Sequence, residues 1–325
     1  PLGDFFIETK LVDKVIEIDK ADRKSWTSAR HELKSLPLHW VLSPHESWRT
    51  AWLVRGLSAD KKIGYHHWWN RWAFDVRISR PMGLPEAVRQ LTLLAPFDER
   101  LKRELTHFGE KWVRLEANRS AGPTLPIEIG AMPEWASMYL GENHWALSQE
   151  TITALYKQYQ FGIKPLVFLA PGSVWNTKKW TREGFIAVGR SLAAQGAQVI
   201  VVGASNERDV CADVVNAVEG SVNLAGLTSL YELAALFRQG RLLVCNDSGA
   251  MHVASVAGVP VVSVFGPTTL DLGYRPWQER AWVAQVALDC RPCGRHGARV
   301  CPLGTHACMK QVLADDVIRA ARLYV

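Results

Sequence analysis

A chain of 325 residues, 48% of them hydrophobic, with no low-complexity stretch and no internal repeat, has enough apolar material for two domain cores. The net charge of +6 favours anionic partners such as phosphorylated substrates or acidic lipid, and the absence of zinc-finger, RRM or KH patterns sets nucleic acid aside. No apolar run approaches the ~18–20 residues of a membrane span and no signal peptide opens the chain, so the expectation is a cytoplasmic protein. The charge and the 14 tryptophans are compatible with a sugar site or with peripheral contact at a membrane surface.

In the first half, residues 12–18 (VDKVIEI), 38–44 (LHWVLSP) and 74–80 (FDVRISR) read as strands, and 45–57 and 85–95 as helices. Residues 146–164 carry the chain between the halves. From 165 onward the grammar is clearer. PLVFLA (165–170) is a buried strand before Pro171-Gly172. Thr181 caps a helix over 182–195 that Gly196 stops. AQVIVVG (197–203) is a strand, followed by a helix over 205–218. Ser229 and Glu232 form a capping box for the next helix. RLLVCN (241–246), residues 248–258 and VPVVSVFG (259–266) continue as strand, helix and strand, and ADDVIRAARLYV reads as a closing helix. This alternation predicts a parallel sheet with helices on both faces, and in such sheets ligands sit at the carboxyl ends of the strands.

Two segments at such strand ends carry chemistry. In the first, Asp247-Ser248-Gly249 sits where a strand passes into a helix, whose unpaired N–H groups suit phosphate oxygens. Gly249 permits close backbone approach, and His252 lies one turn in. In the second, residues 170–185, Ser173 and Thr177 can donate to phosphate and Lys178 or Lys179 can neutralise it. Each has a plainer reading, a capped helix over a buried histidine and an exposed basic loop. Two such loops on one sheet could together clamp a diphosphate.

PGSVWNTKKW followed by NDSGAMHVASVAGVPVVSVFGPT resembles glycosyltransferase family 9, the lipopolysaccharide heptosyltransferases. The likeness continues through CRPCGRHGARVCPLGTHACM and, more weakly, back to LVDKVIEID and KKIGYHHWWNRW. It implies an α/β GT-B fold of two Rossmann-like domains facing across a cleft. Residues 1–155 would be an acceptor-binding domain incomplete at its start, and 156–325 a nucleotide-sugar-binding domain. The implied donor is ADP-heptose, and the acceptor lipopolysaccharide core or a glycoprotein. Lys178 matches the lysine on donor phosphate, and Asp247 the aspartate beside the donor sugar. Ser248, Gly249 and His252 match the diphosphate-binding turn and helix, and Ser173 a hydroxyl near the phosphates. Glu207 and Glu232 are possible donor-domain carboxylates without a fixed place. The implied reaction inverts the anomeric centre without a catalytic metal. The family opens with a strand and a Gly-Asp loop bearing the base. Leu2-Gly3-Asp4 looks like that loop and makes Asp4 the base, although no strand precedes it, and the usual helix and second strand before LVDKVIEID are absent.

Cys290, Cys293, Cys301 and Cys308 follow a C-x2-C-x7-C-x6-C pattern, which suits a structural zinc or iron, with free thiols and a disulfide as alternatives. Cys211 and Cys245 read as core residues. Arg49, His66, His67, Trp68, Trp69 and Arg71 mix cations with aromatics and could bind a phosphorylated or acidic acceptor; a core helix with a basic edge reads equally well. VVGASNER (201–208) has one glycine where a dinucleotide turn needs three, and no P-loop motif occurs. The remaining rivals are a GT-B transferase or epimerase using another sugar nucleotide, and a nucleotide- or glycan-binding protein without catalysis.

Overall fold

A computed structural model describes residues 2–117, 125–127, 148–276, 278 and 280–325. The chain divides into two compact units, residues 12–115 and a second made of 1–11 with 116–325. The sequence reading set the division at 155. Two features move it. Phe5 on helix α1 (Leu2–Glu8) packs with Ala234, Val253 and Val256 of the second unit, and residues 125–127 pair into that unit's sheet.

In the 12–115 unit, Asp22 caps α2 (Arg23–Lys34) by accepting from the Lys24 and Ser25 N–H groups. Then come β1 (Leu38–Ser43), the Ser47-capped α3 (Trp48–Arg55), β2 (Ala59–Tyr65), β3 (Val76–Ile78), α4 (Glu86–Leu91) and the start of α5 (Glu99–Ala117). The strands form a parallel sheet in the order β1-β2-β3, with Leu38 opposite Ala59 and Ile63 opposite Val76. Ile63, Tyr65 and Leu93 centre its core, and the Tyr65 hydroxyl donates to the Arg89 carbonyl at 2.5 Å. The strand expected over 12–18 is absent. That segment is mostly exposed and pairs with no strand among the described residues, and an extended segment without a ladder partner leaves its backbone groups to water.

The second unit holds β4 (Leu125–Ile127), α6 (Gln149–Gln158), β5 (Leu166–Ala170), α7 (Arg182–Ala193), β6 (Gln198–Val201), α8 (Arg208–Ala217), β7 (Val222–Asn223), α9 (Leu230–Gln239), β8 (Leu242–Asn246), α10 (Gly249–Ala257), β9 (Val261–Val264), β10 (Ala281–Ala284), α11 (Ala307–Lys310) and α12 (Ala314–Ala321). Among the described residues its sheet runs β4-β10-β9-β8-β5-β6-β7, parallel throughout except for the antiparallel edge strand β4. Alternate residues Val167, Leu169, Val199, Val201, Leu242 and Val244 face Phe185, Val188, Val214 and Val317 on the covering helices. Each such buried side chain contributes about 1.5–3 kcal/mol. Phe168 meets Phe237 edge-on on the opposite face, so helices cover both faces as the apolar runs predict. The chain leaves β5 in one direction to reach β6 and returns to β8 on its other side. The order therefore reverses between β5 and β8, and the crevice at their carboxyl ends is the binding position of such sheets.

Candidate functional site

Both chemistry-bearing segments emerge at that reversal. β5 ends at Ala170 and leads into residues 171–181; β8 ends at Asn246 and leads through Asp247 and Ser248 into α10. Asn246 joins them. Its side-chain amide donates to the carbonyls of Pro171 (2.9 Å) and Gly172 (3.1 Å), and its oxygen accepts from the Trp180 N–H at 2.8 Å. Trp180 is anchored in turn by an Nε1 bond to the Val312 carbonyl. A wholly buried amide with its groups satisfied fixes the two loops in register.

Above this joint lies a buried ion pair. Lys178 Nζ donates to Asp247 Oδ2 at 2.6 Å, and the Thr268 hydroxyl donates to the same oxygen at 2.6 Å. Lys178, Asp247 and Thr268 are 7%, 4% and 0% exposed, so the pair sits largely out of water. Asp247 is directly followed by α10, whose N-cap Ser248 makes no side-chain capping bond, which leaves the first-turn N–H groups unclaimed by it. A Cβ built on Gly249 would meet nothing within 4 Å, so this helix mouth is open. His252 is exposed on α10, where the plainer reading had it buried. Ser173 is buried in the 171–181 loop and its hydroxyl has no partner among the described residues. The Thr269 hydroxyl, next to Thr268, is shut from solvent and has no partner among the described residues.

Some assignments change. The Thr177 hydroxyl is expected on phosphate, but it donates to the Ala298 carbonyl at 2.5 Å and so holds the 294–300 loop against Lys178. Glu232 serves the Ser229 capping box. Glu207 lies over the first loop: a Cβ on Gly172 would fall 2.2 Å from its carboxylate carbon. Leu2-Gly3-Asp4 forms the first turns of α1 rather than a loop, with Asp4 exposed. Asn246 and Thr268 are the first and last residues of NDSGAMHVASVAGVPVVSVFGPT, and local pattern assigns neither a role. The polar residue closing an apolar strand was the available signal for Asn246.

Arg291 is a further positioning residue. Its guanidinium donates to the carbonyls of Gly266, Val286 and Thr268 and to the Gln285 side chain, tying together the turn that carries Thr268. Burial pushes its pKa down, against the opposing pull of Cys308, Cys290, Cys293 and Asp271. Cys293 N–H bonds the Pro267 carbonyl at 2.8 Å, so the cysteine-bearing loop is bound to the same turn. All six cysteines are free thiols. Burial raises the Cys308 thiol, against the pull of the nearby Arg291 guanidinium. Backbone N–H groups, that of His306 foremost, hold Cys301 below its usual range. Among the described residues no three His, Cys, Asp or Glu side chains are placed to hold a metal together. Cys211 and Cys245 are core residues as expected, and burial pushes Cys211 up to about 12.

The aromatic–basic patch of the 12–115 unit is divided. His67 bonds Glu46 at 2.9 Å and stacks on Trp69, while Trp68 is 85% exposed and Arg71 is exposed. Arg49 turns away, donating to the Lys20 carbonyl at 3.0 Å. His66 is exposed and enters none of these bonds.

A parallel sheet with a cation, a carboxylate and an open helix mouth at its switch point brings together the elements from which phosphate-binding sites are built. The model of glycosyltransferase family 9 (heptosyltransferase) matches residues 26–303, and the chain belongs to that family. The lipooligosaccharide heptosyltransferase 2 of Campylobacter jejuni is 31% identical over 166 residues, 49% of this chain and 50% of that protein. The chain thus spans about half the length of the curated relatives it matches. A glycosyltransferase family 9 structure from Veillonella parvula superposes with a TM-score of 0.75 at 20% identity, covering 99% of this chain and 85% of that one. Escherichia coli heptosyltransferase WaaC, solved with ADP, gives 0.64 at 14% identity, covering 99% and 87%. These likenesses bear on the fold, which is α/β of the GT-B class.

Proposed function

We propose that the chain is an inverting heptosyltransferase, moving heptose from ADP-heptose to a lipopolysaccharide core or a related glycoprotein acceptor. The observation that carries this is the Lys178–Asp247–Thr268 group beside the open N-terminus of α10 at the sheet's switch point. Family membership supports the class of reaction. The naming of the C. jejuni relative supports heptose, and the E. coli protein solved with ADP supports the base.

In this reading the donor diphosphate lies against the first turn of α10, meeting the N–H groups of Gly249 and its neighbours and the Ser248 hydroxyl, with His252 one turn along. Lys178 is shared between Asp247 and the departing phosphate, and Ser173 faces the same oxygens. Asp247 holds Lys178 in place and stands beside the donor sugar. The acceptor hydroxyl attacks the anomeric carbon and gives its proton to a carboxylate base. The new carbon–oxygen bond forms as the bond to the diphosphate breaks, and ADP leaves with its added negative charge met by Lys178 and the helix end. Residues 12–115 would receive the acceptor. Asp4 is assigned the base on the Gly3-Asp4 resemblance alone. Asp4→Ala should abolish transfer and spare ADP binding; unchanged turnover removes Asp4 from the mechanism. No described helix is long and apolar enough to cross a membrane, and the reading places the enzyme in the cytoplasm against the inner membrane face.

The four cysteines do not fit a metal as they are placed. Their C-x2-C-x7-C-x6-C spacing is what supports a structural zinc or iron there. Metal analysis of the purified protein decides: about one ion per chain, lost in Cys290→Ser/Cys293→Ser, supports a site, and metal-free protein of unchanged stability rejects it. The transfer itself is tested by mass spectrometry of heptose-deficient lipopolysaccharide incubated with ADP-heptose. Addition of one heptose is expected, and no product from a preparation that binds ADP would refute the proposed reaction.

A further inference from the structure

The segment that follows β10 is cationic throughout. From Cys290 to Ala314 the sequence holds no Asp or Glu, and its charged residues are Arg291, Arg295, Arg299 and Lys310. Arg291 is spent on the carbonyls around the Thr268 turn. Arg295 and Arg299 are different. Both are exposed, and neither has a carboxylate or carbonyl partner among the described residues. With nothing in the protein to offset it, their charge is directed to solvent or to an anionic ligand.

Their loop is seated on the buried ion pair. The Cys293 N–H bonds the Pro267 carbonyl at 2.8 Å, and the Thr177 hydroxyl bonds the Ala298 carbonyl at 2.5 Å. The His296 ring packs on Tyr274 at a centroid distance of 5.4 Å. Gly297 makes the closest approach: a Cβ there would fall 2.9 Å from Pro267 Cγ and 3.7 Å from Lys178 Cε. Its φ of +81° is one that glycine adopts without strain. Arg295 and Arg299 stand two residues to either side of Gly297. Consecutive Cα atoms are about 3.8 Å apart, so both arginines start within about 7.6 Å of the point where the loop touches Lys178.

The pair itself is short of positive charge. Lys178 and Asp247 together are neutral, and a helix end supplies only about half a charge. A nucleoside diphosphate sugar carries a negative charge on each phosphate, and another develops as the diphosphate departs. We infer that Arg295 and Arg299 bind the sugar-linked phosphate of the donor and make the site select a nucleoside diphosphate over a monophosphate. Guanidinium forks take phosphate oxygens in pairs, and an anion bridging this loop and the first turn of α10 would be met from both sides. The inference rests on the proposed donor reading for the identity of the ligand, but the anion site itself does not.

The test is calorimetry on the full chain with ADP, AMP and inorganic pyrophosphate. The parent should bind ADP about tenfold or more tighter than AMP. Arg295→Ala/Arg299→Ala should weaken ADP and pyrophosphate by about tenfold or more and leave AMP within about twofold. Arg295→Lys/Arg299→Lys should recover part of the ADP affinity, because the charge is kept and the fork is lost. Both side chains are exposed and unpartnered among the described residues, so the fold should survive. A role confined to holding the loop would weaken ADP and AMP alike. Unchanged ADP affinity in the alanine variant, or equal losses for ADP and AMP, therefore overturns the inference. A parent chain that binds pyrophosphate but no nucleotide would count against the donor reading, and the pyrophosphate loss in the variant would still decide the anion site. Binding of neither by the parent overturns both.

Discussion

Asp247 Oδ2 accepts two protons' worth of hydrogen bonding, from Lys178 and Thr268, in a place almost without water. Such a pair earns little net stability, because both ions are desolvated, yet removing one partner strands the other. Lys178→Ala should therefore cost about 3–5 kcal/mol in urea unfolding. Lys178→Met/Asp247→Leu should be far less destabilised than the sum of its single changes. Additive losses would show that the two charges do not depend on each other. The pair was only half legible in the sequence. Both residues stood out as phosphate-facing from their place at strand ends, but their bond to each other spans 69 positions and depends on β5 and β8 being neighbours. Thr177 shows the converse: a hydroxyl of the right type in the right loop is claimed by a carbonyl 121 positions away, which no local pattern records.

At the scale of elements, apolar runs long enough to be buried on both faces announced β5, β6, β8 and β9, and caps at Thr181 and Ser229 fixed where α7 and α9 begin. What local pattern could not show was pairing. Residues 12–18 alternate well enough for a strand but have no ladder partner among the described residues, while β10 and the two-residue β7 are strands because neighbours recruit them. Gly3-Asp4 looked like a loop, but with Phe5 anchored on Ala234 and the Phe6 and Ile7 carbonyls accepting bonds from Leu11 and Lys10, the segment closes as a helix. The turn at 265–268 is similarly fixed from outside, by Arg291. Arg291→Lys keeps a cation but cannot reach several carbonyls at once. It should weaken ADP binding by about tenfold, about 1.4 kcal/mol, with a smaller change in thermal stability. Unchanged ADP affinity would mean that the turn holds Thr268 on Asp247 without it.

Over the whole molecule, the two units carry different electrostatics. The second buries the Lys178–Asp247 pair at the switch point; the 12–115 unit spreads a network in which Arg80 bridges Glu46 and Glu86, and Glu86 also holds Arg89 at 2.9 Å. Burial works against ionisation of Glu46, but the bonds from His67 and Arg80 prevail and hold its carboxyl below the usual value. A carboxyl with a lowered folded-state pKa contributes stability that is fully present above its unfolded value, about 4.3, and is lost as pH falls through the folded value. Glu46→Gln should thus lie below the parent in stability near neutrality, and the gap should narrow on acidification below about pH 4.3. Urea unfolding across that range measures it, and a gap independent of pH would show that ionised Glu46 adds nothing. The contribution should also be modest, since the group is partly solvated.

The most direct measurement of the donor site is calorimetric titration of the purified chain with ADP, UDP and GDP, alongside Lys178→Ala. ADP should bind in preference to the other two, and the variant should lose that binding while remaining folded by circular dichroism. A preference for UDP or GDP would move the donor to another sugar nucleotide. Undiminished ADP binding by folded Lys178→Ala would contradict the clamp at the β5–β8 switch point.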